Sequence, residues 1–216
     1  MQKVYILVLF FLISQMAKAQ EEVFTPKPSS IVFILHISTN KIEGLKKRGL
    51  HSDIKDVIAA DYEINSSIMQ DFKNNFTFCN VYFCYDTQLN YILEKQWNKV
   101  TFYDFEHLTR DKRIEVSGID NFIICEVNYP PPTEYPTIDE KGKVHEPEYT
   151  VEYANGRDYG VVCYDQDYKL LKNKLRFTNI AMRRTGNIFK PETLHYHFTG
   201  AKKFQARLEK YYTKYR

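Results

Sequence analysis

"IVFILHI", residues 31–37, runs apolar from its first residue to the histidine near its end. A strand with one wet face alternates apolar and polar residues, whereas a strand covered on both faces is apolar throughout. The run therefore reads as a strand buried on both faces, which calls for helices on either side of a sheet. On its amino side, "TPKPSS" at 25–30 reads as a linker leading into the fold. On its carboxyl side, Ile54, Val57, Ile58, Tyr62, Ile68, Met69 and Phe72 recur at helical spacing, so a helix capped by Ser52 or Asp53 extends to about Asn74. Thr77 to Tyr85 is the next strand, and Thr87 to Trp97 a short helix with Leu89, Ile92 and Leu93 as its stripe. Lys99 to Tyr103 reads as a third strand and Phe122 to Val127 as a fourth. Strands alternating with helices are the pattern of parallel βαβ units, for which right-handed crossovers are the rule.

After "NYPPPTEYP", residues 128–136, the pattern changes. Consecutive prolines cannot sit in a central strand, so they mark a rigid excursion. Strand signals then follow without intervening helices. Tyr149 to Tyr153 and Tyr159 to Tyr164 flank the hairpin dipeptide Asn155-Gly156, and Tyr168 to Phe177 returns antiparallel. A last helix from Ala201 to about Tyr212 carries Phe204, Leu208 and Tyr211 on one face, with Thr199 as its N-cap. The expected fold is α/β (or α+β). It is a single domain over 30–216 with a mixed sheet, parallel in its first half and antiparallel in its second, helices packed on the sheet, and an excursion with a hairpin at 129–164.

The first residues give an address. Lys3 supplies a positive start, Val4 to Ile13 an apolar run, and Ala17-Lys18-Ala19 a small-x-small cleavage site, which together make a signal peptide over 1–19. Residues 20–29 are then a linker. The run is shorter than the roughly 20 residues of a spanning helix, so the expectation is an exported chain, periplasmic or secreted, with no transmembrane segment after signal removal. The ending "MAKAQEE" resembles export signals of Bacteroidetes bacteria, and "DFKNNFTFCNVYFCYD", residues 71–86, is similar to a segment of uncharacterised exported proteins from that group. That resemblance implies an address and no activity. The formal charge is +3, and Lys3 and Lys18 leave with the signal, so nothing points to nucleic acid as a partner. The 17 tyrosines and 15 phenylalanines suit a β-rich or mixed protein better than a helical bundle.

Cys79 and Cys84 fall in one strand. At about 3.3 Å per residue they stand about 16 Å apart and, at odd spacing, on opposite faces. A disulfide needs Cα atoms about 4.4–6.8 Å apart, so these two cannot be joined. Cys125 and Cys163 lie in other strands, where cysteine behaves as a small hydrophobe. All four are expected to be free buried thiols, although an oxidising compartment can join cysteines of neighbouring strands.

Two patterns carry candidate chemistry. His36-Ile37-Ser38 and His197-Phe198-Thr199 are His-x-Ser/Thr triplets. They resemble the paired motif of the 2H phosphoesterases, which implies one imidazole as base, the other as acid, and hydroxyls on phosphate oxygens. The long separation and the βαβ pattern depart from that family, and core or edge histidines with local hydroxyl bonds are the preferred reading. His195 and His197 share a strand face without an identifiable third metal ligand. The second pattern is a repeated Tyr-Asp ending: "FCYD" at Asp86, "TFYD" at Asp104 and "VCYD" at Asp165. If the first strands are parallel, Asp86 and Asp104 stand at the carboxyl edge of the sheet, where open α/β folds place ligands. The plainer reading makes Asp86 an N-cap and Asp165 a turn residue. "KIEGLKKRG" and "AMRR" read as solvated loops, and Gly44 and Gly49 form no phosphate-binding fingerprint.

The catalytic candidates are thus Asp86, Asp104, His36 and His197, with no cofactor and no metal expected. Two functions fit. One is a non-enzymatic domain that binds a protein or a cell-envelope component; the other is a hydrolase, of phosphoesters for instance, using the strand-end carboxylates or the histidine pair.

Overall fold

The computed structural model describes residues 26–103, 109–111, 114, 119–128, 137–138, 144–145, 159–171, 175, 177–185 and 195–214. The apolar run forms β1 (Ser30–Leu35), buried along its whole length. Two helices follow, α1 (Thr39–Lys47) and α2 (His51–Asn75), then β2 (Asn80–Tyr85). A 3-10 turn at Asp86–Gln88, the short α3 (Leu89–Leu93) and a second 3-10 turn at Trp97–Lys99 lead toward β3 (Phe122–Asn128). Then come β4 (Thr137–Ile138), β5 (Val144–His145), β6 (Gly160–Tyr164), β7 (Phe177–Asn179), β8 (Ala181–Thr185), β9 (His195–Thr199) and α4 (Ala201–Lys214).

The main sheet has five strands in the order β2-β1-β3-β6-β7. β1 is parallel to both β2 and β3, while β6 is antiparallel to β3 and to β7. The chain is therefore an α/β protein with a mixed sheet. β4 pairs with β5 and β8 with β9 in separate antiparallel pairs.

Apolar layers cover both faces of β1, as a doubly buried strand requires. On one face Ile31, Phe33 and Leu35 pack with Ile68, Met69 and Phe72 of α2 and with Phe204 and Leu208 of α4. Phe72 is the hub, its ring within 4.8 Å of Phe33 and 6.2 Å of Phe204; truncating such a side chain to alanine costs about 3–5 kcal/mol. On the other face Val32 and Ile34 meet Cys84, Ile92, Phe102 and Ile124. Cys84 belongs to this second layer, whereas Cys79 packs against the first. The two thiols do lie on opposite sides of the sheet.

Several local expectations change. Residues 41–49 are largely helix α1, which buries Leu45 and carries Lys46 and Lys47 in its last turn, where cations oppose the helix dipole. Gly49 ends it at φ +71°. Leu50 N–H reaches Leu45 O and Gly49 N–H reaches Lys46 O, a Schellman closure that needs the left-handed residue. α2 begins after Leu50 with no side-chain cap, so neither Ser52 nor Asp53 has that role. At about 100° per residue Val57 lines up with Ile68, but Ile58 and Tyr62 turn to the flank and stay half-exposed. Residues 181–184, "AMRR", form most of β8 instead of a loop.

Lys99 to Tyr103 is not a sheet strand: Lys99 ends a 3-10 turn, and Tyr103 makes only isolated bridges, to Phe83 and Arg110. β3 is instead the third parallel strand. Thr199 is the last residue of β9, and α4 is capped from elsewhere: the Asp71 carboxylate on α2 accepts from Gly200 N–H at 2.7 Å and Ala201 N–H at 2.8 Å. A side chain at Gly200 would collide with Ile180. Residues 26–29, within the expected linker, are held on the body, since Asn121 Nδ2 donates to Lys27 O and Ser29 N–H to Asn121 O. The signal segment 1–19 and the Asn155-Gly156 turn lie outside the described residues.

Candidate functional site at the carboxyl edge of the parallel strands

Side-chain alternation and register bring three residues to one place. Ile34 lies opposite Cys84 on one side and Glu126 on the other. Strand side chains repeat every second residue, so His36 and Asp86 continue the face of Ile34 and Cys84, and Glu126 shares it. The edge is also where the topology reverses: β1 is followed in the chain by its neighbour on one side, β2, and later by its neighbour on the other, β3. Open α/β sheets form their ligand crevices at this point, outside the carboxyl ends of the strands.

His36 is clamped there by two carboxylates. Its Nδ1 is 3.3 Å from Asp86 Oδ2 and its Nε2 is 3.1 Å from Glu126 Oε2. The ring is nearly half exposed at 46%, while the Glu126 side chain is buried at 3%. A buried carboxylate is tolerated only when paired and hydrogen-bonded, and Glu126 is both. Oε1 accepts from Tyr164 OH at 2.6 Å and from Asn128 Nδ2 at 3.0 Å, and Oε2 accepts from Tyr168 OH at 3.1 Å. Burial opposes its ionisation, but the hydrogen bonds from His36, Tyr164 and Asn128 outweigh burial and pull its pKa down to about 2. In return the Glu126 hydrogen bond raises His36 above its usual range, against burial and with help from Asp86. Both ring nitrogens face a carboxylate oxygen, an arrangement that favours the protonated ring because only that form donates from both. Burial first, and Glu126 second, push Tyr164 and Tyr168 upward, so both phenols remain protonated donors.

The surroundings hold this arrangement rigidly. Tyr168 occupies the left-handed region at φ +59°, which bulky residues rarely adopt and which concentrates at functional sites. It is kept there by the turn that Asp165 organises, with Oδ1 accepting from Asp167 N–H at 3.0 Å and Lys169 N–H at 2.8 Å. Its ring stacks on Tyr164 at 4.3 Å. Behind His36, Asn65 Nδ2 donates to the His36 carbonyl, and Asp61 accepts from both the amide and the hydroxyl of Ser38. Asp86 Oδ2 also accepts from Ile37 N–H at 3.3 Å, and Asp86 Oδ1 is buried with no partner among the described residues.

The structure thus joins two of the four candidate residues, His36 and Asp86. Asp86 caps nothing: its own 3-10 turn and α3 lack side-chain caps, and its carboxylate instead ties β2 to β1. Asp165 is the turn residue expected of it. Asp104 lies outside the described residues. His197 is exposed and lines a polar groove of about 510 Å³ between α2 and β9, beside Tyr62 and Ser66. Its neighbour Phe198 donates its amide to Ser67 Oγ, not to a phosphate-like site shared with His36. Sequence reasoning missed Glu126, Tyr164 and Tyr168. The available signal was Glu126 itself, an acid within the apolar "FIICEV", because a charge in a buried strand demands partners.

Among the described residues no three His, Cys, Asp or Glu side chains are arranged to hold a metal ion, and no helix is long and apolar enough to cross a membrane. Fold and site together define an α/β protein with a charged cluster at the switch point of its sheet. The chain matches no family model, no curated protein and no solved structure.

Proposed function

We propose that this chain is an exported, non-enzymatic binding domain of the cell envelope that receives its ligand at the charged cluster where β1 and β3 end. The observation that carries the reading is the double clamp on His36. A general base needs a free lone pair, and an imidazolium with Asp86 on one nitrogen and Glu126 on the other has none. What remains is a preorganised polar cluster with two carboxylates against one cation, in which Asp86 Oδ1 has no partner among the described residues. Such a cluster favours a partner that presents an ammonium, a guanidinium or N–H donors. The address rests on the sequence of residues 1–19 and on the resemblance of residues 71–86 to exported Bacteroidetes proteins.

A hydrolase is the second reading, and the meeting of His36 with Asp86 favours it. A substrate that displaced one carboxylate would leave the imidazolium free to protonate a leaving group. Histidine-selective NMR separates the two readings. Short Lys- or Arg-containing peptides should shift the His36 ring signals saturably, Asp86→Asn should weaken the effect, and acidic peptides should do nothing. Hydrolysis of bis(p-nitrophenyl) phosphate that vanishes in His36→Ala would select the enzyme, and ring signals indifferent to every peptide would overturn the binding site.

A further inference from the structure

Cys125 and Cys163 face each other directly across the antiparallel pair β3–β6. Their Sγ atoms are 3.5 Å apart, and both residues are completely buried. Directly opposed residues of an antiparallel pair have Cα atoms about 4.5–5.5 Å apart, inside the range of about 4.4–6.8 Å that a disulfide spans. No backbone shift is needed to join them; rotation of the two side chains suffices. Cys84 lies in the opposite layer, and Cys79, on the edge strand side, is separated from β3 by β1.

We propose that Cys125 and Cys163 form a cross-strand disulfide when the protein folds in an oxidising compartment. Two S–H bonds are broken and one S–S bond is formed, and the two electrons and two protons pass by thiol–disulfide exchange to an oxidant disulfide, either a small-molecule disulfide or the disulfide form of a thiol oxidoreductase, whose S–S bond breaks to give two thiols. Export, the expectation drawn from residues 1–19, supplies that setting. The timing follows from burial. Once β3 and β6 are packed under α2 and α4, neither sulfur meets solvent, and burial holds the Cys125 thiol well above its usual range. The bond therefore closes while the strands pair and is shielded afterwards, which makes it a permanent staple and not a reversible switch.

The staple sits next to the charged cluster. Glu126 is opposite Val162 and Tyr164 opposite Ile124, so Glu126 and Tyr164 flank the cysteine pair diagonally on the other face of the sheet. Their 2.6 Å hydrogen bond depends on that register. A one-residue slip would carry every side chain of β6 to the wrong face. The crosslink forbids that slip and holds the acceptor and its closest donor in place. This inference does not depend on which ligand the cluster takes.

The full chain, refolded with a reduced and oxidised glutathione pair and then unfolded in an alkylating agent, should carry labels only on Cys79 and Cys84. Peptide mapping without reductant should return a linked Cys125–Cys163 fragment, and the intact mass should be lower by two hydrogens. Reductant should lower the denaturation midpoint of this protein and leave the Cys125→Ala, Cys163→Ala double variant unmoved. Four labelled cysteines in the folded product, or a link that includes Cys79 or Cys84, would overturn the proposal.

Discussion

His36 Nε2 and Glu126 Oε2 are 3.1 Å apart, and this contact joins the carboxyl ends of the two parallel strands β1 and β3 at the point where the sheet changes direction. It couples a half-exposed ring to a fully buried carboxylate, so the protonation of each partner is felt in the stability of the fold.

That coupling sets a pH window. Glu126 has its pKa lowered to about 2 in the fold, so its stabilisation is complete above the unfolded carboxylate range, begins to fade below about 4.3, and is gone once pH falls through about 2. The His36 pKa is raised, so its stabilisation is complete below about 6.5 and is lost as pH rises through the higher folded value. Urea denaturation midpoints should therefore be highest between those limits. In Glu126→Gln the acid-side dependence should flatten and the His36 titration followed by NMR should move down; an unmoved His36 titration would contradict the pairing.

Asp86 can be tested as a tie and as a cap. An N-cap tolerates asparagine well and loses about 0.5–2 kcal/mol on mutation to alanine. As the tie observed here, Asp86→Asn keeps an acceptor but loses the charge beside His36, and should lower the His36 pKa with little change in stability. Asp86→Ala should lower that pKa too and cost about 1 kcal/mol. A His36 titration identical in all three proteins would restore the cap.

The two phenols differ in hold. Tyr164 OH approaches Glu126 to 2.6 Å and Tyr168 OH to 3.1 Å. Hydrogen bonds to charged groups contribute about 1.5–3 kcal/mol, so Tyr164→Phe should destabilise toward that range and Tyr168→Phe less. Chemical denaturation of the two variants side by side decides the order.

Asp71 serves helix α4 from across the core. Asp71→Ala removes the acceptor for the Gly200 and Ala201 amides and should cost about 0.5–2 kcal/mol. Hydrogen exchange should quicken first in the opening turn of α4. Protection there equal to the parent's would mean that the cap is dispensable.

Processing tests the expected address. If residues 1–19 are a signal peptide, protein recovered from the envelope of an exporting host should begin at Gln20 and carry no acyl chain. Intact mass gives the answer, and retention of the leader would remove the basis for the exported reading.

What the sequence determined by itself is everything set by neighbours along the chain. Continuous apolarity in "IVFILHI" required cover on both faces, helical periodicity marked α2 and α4, and Cys79 and Cys84 fall against opposite layers as expected, although β2 begins only at Asn80 and leaves Cys79 just outside the strand. It even delivered His36 and Asp86 as candidates, although for reasons other than their meeting. The short α1 has more charges than its single buried leucine and so shows no clear apolar stripe, and Lys99–Tyr103 reads as a strand because β-propensity does not say whether an edge is free to accept pairing. Only the tertiary structure decided that β3, not residues 99–103, lies beside β1 and that β6 lies beside β3; the first choice made Glu126 the partner of His36, and the second made Cys125 the partner of Cys163. Those pairings span tens of residues. They depend on strand order and register, which arise from the competition of whole surfaces for burial and are written only in part in any local pattern of residues.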